Sequence, residues 1–93
     1  MAAIPDFHGP HVEPPLTGHV KLTWYAPVSR TPRIRVMSHT CECRVTTYEL
    51  CAAAGLGFVR RSDRQKKTVH ETVWTSTANA RRTFDQILNG EAR

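Results

Sequence analysis

Val20, Leu22 and Trp24 alternate with Lys21, Thr23 and Tyr25. That two-residue period predicts a half-buried strand, which Pro27 stops. Ile34 and Val36 alternate with Arg33 and Arg35 in the same way, predicting a second strand with a basic outer face; a loop over 26–32 links the two. Two further strands are predicted at 57–62 and 68–74, around the apolar runs Leu56-Gly57-Phe58-Val59 and Val73-Trp74. The segment between the two strand pairs is ambiguous. Thr46-Thr47-Tyr48-Glu49 matches a Ser/Thr-x-x-Glu capping box, and Leu50-Cys51-Ala52-Ala53-Ala54 before Gly55 reads as a short helix with a glycine stop. Val45, Thr46, Thr47 and Tyr48 are β-formers and support a strand over 43–50 almost as well. The helix reading is favoured.

The end of the chain is clearer. Thr75 or Ser76 caps a helix that places Ala80, Phe84, Ile87 and Leu88 on one face and Arg81, Arg82, Asp85 and Gln86 on the other, with Gly90 past its end. The expectation is an α+β fold: a small antiparallel sheet of about four strands with a C-terminal amphipathic helix packed on one face.

Residues 1–17 have no apolar periodicity, and all six prolines lie within the first 32 residues. The first 17 residues therefore read as a flexible N-terminal arm and 18–93 as a single domain. Roughly 75 residues make a thin core, for which homodimerisation or a metal staple would be a natural support. No basic region followed by an apolar stretch opens the chain, and no run is long enough to span a membrane, so neither a leader nor a membrane is expected. Three cysteines without a leader imply reduced thiols and a cytoplasmic location.

Charge changes the picture most. Arg60-Arg61-Ser62-Asp63-Arg64-Gln65-Lys66-Lys67 holds five cations and one anion, net +4 of the formal +5 of all 93 residues. A basic turn between two strands is a phosphate- or acid-seeking finger, or else a device against edge aggregation. Arg33 and Arg35, with Arg44, Arg81 and Arg82, widen the candidate patch.

Residues 58–88 resemble the last two strands and helix of AP2-like arm-binding domains of phage and transposon integrases. The residues that carry the likeness are the basic hairpin, Trp74 at the end of the last strand, the Thr75 or Ser76 cap, and Ala78 and Ala80 in the helix. The resemblance implies DNA binding through the hairpin. WGR-type domains share the strand, strand, helix outline, but the Trp-Gly-Arg triplet is missing here. A second likeness is to uncharacterised small proteins of high-GC actinobacteria and their mobile elements. It rests on Tyr48-Glu49-Leu50-Cys51-Ala52-Ala53-Ala54-Gly55, Phe58-Val59-Arg60-Arg61 and Trp74, and it implies a source but no activity.

His39, Cys41, Cys43 and Cys51 supply four groups that zinc prefers, but their spacing is not that of a Cys-x-x-Cys knuckle. They are read as a small buried hydrophobe (Cys51) and incidental thiols, with no metal and no cofactor. No Gly-x-Ser-x-Gly, Walker loop, His-Glu-x-x-His or dinucleotide fingerprint is present, and alternation sets His70 and Glu71 on opposite faces. The expected function is that of a non-catalytic binding protein. The leading form is a DNA-binding accessory or regulatory protein acting through Arg60, Arg61, Arg64, Lys66, Lys67, Arg33 and Arg35. The alternative is an adaptor or inhibitor that docks on a larger host or phage protein.

Overall fold

Strand β2 (Thr46–Ala53) is the hub of the structure, because both of its faces are covered. It pairs antiparallel with β1 (Arg35–His39) on one side and with β3 (Leu56–Asp63) on the other; β4 (Thr68–Glu71) pairs with β3, so the sheet order is β1-β2-β3-β4. Helix α1 (Thr77–Leu88) follows and packs on β3 and β2. The computed structural model describes residues 9–27 and 33–93. The fold is α+β, with a four-stranded antiparallel sheet and one C-terminal helix.

The expected helix over 46–54 is a strand. Tyr48 and Leu50 turn toward α1, while Cys51 and Ala53 are buried on the other face. Small residues there let a second layer close over the sheet, and that burial outweighs the helix preference of the Leu-Cys-Ala-Ala-Ala run. Glu49, expected to complete a capping box, reaches across to Arg60 on β3 instead. Gly55 does not stop a helix. With Ala54 it forms a two-residue hairpin loop in which both residues have positive φ (52° and 78°), as the type I′ turn favoured between twisted strands requires.

Helix α1 begins where the sequence indicates. Ser76 Oγ accepts the Asn79 backbone N–H at 3.1 Å, and Ala80, Phe84 and Ile87 are buried against Tyr48, Leu50 and Val59. Gly57 makes this docking close. A Cβ there would lie 2.9 Å from both the Ala80 Cβ and the Thr77 Cα, so a side chain would push the helix off β3. The opposite face carries a smaller core of Cys51, Ala53 and Phe58, with Ile34 and Trp74 packed over it.

Residues 20–25, expected as a strand, are extended but form only isolated bridges. Val20 pairs in parallel with Ala92, and Tyr25 pairs antiparallel with Glu71 at the β4 edge. Leu22 and Trp24 still point inward, against the helix-side core. The expected arm is likewise not loose where it is described. The Glu13 N–H donates to the Leu88 carbonyl (2.9 Å) and the Leu16 N–H to that of Gly90 (2.8 Å), while the Pro10 carbonyl accepts from the Cys41 N–H (2.9 Å). Val12 packs on the main core. These carbonyls at the end of α1 need donors, and an extended segment without helical bonds of its own supplies them. Residues 1–8 of that arm and 28–32 of the 26–32 loop lie outside the described residues. No helix among the described residues is long and apolar enough to cross a membrane.

Candidate functional site

Asp63 shapes the basic turn. Its Oδ1 accepts the N–H groups of Gln65 and Lys66, both at 2.9 Å, and Lys67 takes a left-handed φ of 56° before the chain re-enters β4. The carboxylate is thus engaged by backbone amides, and the exposed side chains of Arg64, Lys66 and Lys67 project from residues 64–67. Two bonds tie the turn to the loop before β2: Arg64 N–H to the Val45 carbonyl at 3.0 Å, and Arg64 Nη2 to the Arg44 carbonyl at 2.9 Å. Arg44, itself exposed, joins the same end of the sheet.

The rest of the expected patch is dispersed. Arg60 lies on the face away from α1, its Nε donating to Glu49 Oε1 at 2.8 Å. Burial works against the Arg60 charge, but the Glu49 hydrogen bond together with the negative charges of Cys51, Glu49 and Glu71 outweighs it, so its pKa lies above the ordinary arginine value. Arg61 points to the helix side and stacks over the Trp24 ring, 4.3 Å from its centroid. Arg35 pairs with Ala52, near the hairpin at 54–55, whereas the basic turn follows the Thr46–Asp63 end of the β2–β3 ladder. Six residues of strand separate the two places, about 20 Å. Arg33, just before β1, lies on the far side as well. The interface expected from seven cations therefore reduces to Arg64, Lys66 and Lys67, joined by Arg44.

Beside Arg44 lies a cluster that the sequence only half reveals. Cys41 and Cys43 sit in the loop after β1, with their sulfurs 3.1 Å apart, and His11 Nε2 of the docked N-terminal segment is 3.3 Å from Cys43 Sγ. The three ligand atoms lie within 4.8 Å of one another. The hydrogen bond with Cys41 raises the Cys43 thiol pKa above its ordinary value, with Arg44 pulling it down. His39 and Cys51 are not in the cluster. His39 Nδ1 turns to the Thr40 carbonyl at 2.9 Å, and Cys51 is fully buried on the far face. Burial pushes the Cys51 thiol up to about 11, against the pull of Arg60. His11 escaped the sequence reading because 29 residues separate it from Cys41 and no spacing rule connects them.

Register puts His70 opposite Arg61 and Glu71 opposite Arg60, on different faces of the sheet. Glu71 is buried and accepts the Trp74 indole N–H at 2.8 Å. In comparisons with known proteins no family model matches the chain, and no curated protein or solved structure matches it either.

Proposed function

We propose that this chain is a small non-catalytic binding protein that contacts nucleic acid through one cationic end of its sheet, as a DNA-binding accessory or regulatory factor. The observation that carries this reading is the turn at 64–67. Asp63 is engaged by the amides of Gln65 and Lys66, and among the described residues no acidic side chain is ion-paired with Arg64, Lys66 or Lys67. Arg44 extends the group along the neighbouring loop. Four exposed cations on one rim suit a row of phosphates, which reward charge and reach without requiring a pocket. The succession of β3, β4 and α1 also agrees with the two strands and helix of the AP2-like domains that residues 58–88 resemble.

A protein partner is the competing reading. It draws on Val36 and Val69, apolar side chains left 39% and 41% exposed on the two edge strands, and on Val73, 63% exposed after β4. The two readings separate in one binding experiment. Fluorescence anisotropy with a short labelled duplex at low salt should show binding by the wild type, with affinity well over ten-fold weaker after Arg64→Ala, Lys66→Ala and Lys67→Ala are combined. A wild type that ignores DNA and RNA at low salt eliminates the nucleic-acid reading.

A further inference from the structure

We propose that His11 Nε2, Cys41 Sγ and Cys43 Sγ form a binding site for one zinc ion, which staples the N-terminal segment to the loop beside the basic turn. Two thiols and an imidazole are the donors zinc prefers, and two thiolates with a neutral imidazole cancel the charge of the divalent ion. Binding displaces any thiol protons to solvent.

The geometry is close to what the ion needs. With Zn–S near 2.3 Å and Zn–N near 2.0–2.1 Å, a tetrahedral site sets the sulfurs about 3.8 Å apart and sulfur to nitrogen about 3.6 Å apart. The separations here are 3.1 Å for the sulfurs and 3.3 Å from Cys43 Sγ to His11 Nε2. These two separations widen by less than about 1 Å to admit an ion, while Cys41 Sγ and the His11 ring nitrogen, within 4.8 Å of each other, settle at about 3.6 Å. His11 and Cys43 are exposed and have room for that movement. A disulfide would instead require the sulfurs to close to about 2.05 Å.

The backbone holds the donors in place. Cys41 N–H donates to the Pro10 carbonyl at 2.9 Å, which sets the residue before His11 against the loop. The chain can run this close because residue 9 is glycine: a Cβ there would lie 3.0 Å from the His39 carbonyl oxygen. Cys43 N–H points at Cys41 Sγ at 3.5 Å, a donor aimed at a ligand sulfur. Thr40 anchors the loop start, its N–H on the Tyr48 carbonyl and its Oγ1 accepting the Tyr48 N–H. Among the described residues no further His, Cys, Asp or Glu joins the group. The ion closes a loop between residues 11 and 41, where a cross-link contributes most to a thin core.

The test is independent of nucleic-acid binding. Reduced, chelator-stripped full-length protein is titrated with Zn²⁺ against a chromophoric competitor, and with Co²⁺ followed by absorption. One equivalent of zinc is expected per chain, with thiolate-to-cobalt charge transfer and the intense visible bands of a tetrahedral site. Cys43→Ser should weaken affinity beyond the roughly 100-fold limit typical of groups one step removed from a metal. His11→Gln should also weaken it, whereas His39→Gln should leave it unchanged. Zinc should raise the melting temperature of the wild type but not of Cys43→Ser, which circular dichroism must show to be folded. Substoichiometric zinc, cobalt spectra without thiolate bands, affinity unaltered in Cys43→Ser, or a Cys41–Cys43 disulfide isolated from protein purified without reductant would each overturn the site.

Discussion

The Arg61 guanidinium carbon lies 4.3 Å from the centroid of the Trp24 ring. A cation that the sequence offers to phosphate is thereby committed to the helix side of the sheet, where Trp24 also meets Tyr48 with centroids 6.0 Å apart. Stacks of this kind contribute about 0.5–2 kcal/mol. Arg61→Ala should lower stability by about that much in denaturant titration, and Arg61→Lys should recover little, since an ammonium lacks the planar surface. The nucleic-acid salt dependence of Arg61→Ala should equal that of the wild type. A slope reduced by one contact would put Arg61 on the phosphates.

Phe84 joins the helix to the sheet and is only 3% exposed. Phe84→Ala should cost about 3–5 kcal/mol, enough to unfold much of so small a domain. Thermal unfolding by circular dichroism checks it, and an unchanged midpoint would contradict the packing of α1.

Gly90 and the N-terminal segment are coupled. Gly90 has φ of 75°, and a Cβ there would fall on the Pro14 carbonyl oxygen. Gly90→Ala should therefore cost more than the about 1–2 kcal/mol of a left-handed alanine in the full chain, and only that amount in a chain beginning at residue 18. The truncation itself should lower the melting temperature, because it strips donors from the Leu88 and Gly90 carbonyls. Equal Gly90→Ala costs in the two chains would place the segment elsewhere.

Cys51 carries a pH prediction. Its pKa rises in the fold from 9.0 to about 11 through burial. The protonated thiol is thus favoured in the native state, and that contribution is complete below pH 9 and lost as pH rises through about 11. The stability advantage of the wild type over Cys51→Ala should shrink across that window. Thiol alkylation of the native protein near pH 8 should spare Cys51 and mark Cys43. A stability difference that stays flat up to pH 11 would contradict the buried thiol.

What the sequence discloses follows from where its signals are local. The 3.6-residue period of Ala80, Phe84 and Ile87, and the basic turn between two apolar runs, survive intact because neighbouring residues alone generate them. The central strand is hidden because the Leu50-to-Ala54 run is rich in alanine, a strong helix former, and only burial on both faces makes residues 46–53 a strand. Adjacent arginines mislead for a related reason. Arg60 and Arg61 look like one patch in sequence, but the pleat sends them to opposite faces, one to Glu49 and one to Trp24. His11 depends wholly on long-range docking, which leaves no periodic trace.

The central claim, that the turn at 64–67 binds phosphates, is tested most directly by the salt dependence of duplex DNA affinity. Contacts from Arg44, Arg64, Lys66 and Lys67 imply a log–log slope near −3.6, because each neutralised phosphate releases counterions worth about 0.9. Replacing Arg64, Lys66 and Lys67 with alanine should flatten it to about −0.9 while the melting temperature holds, since the three side chains are solvent-exposed. A slope unchanged by the triple substitution, or no measurable binding of the wild type at low salt, would contradict the claim.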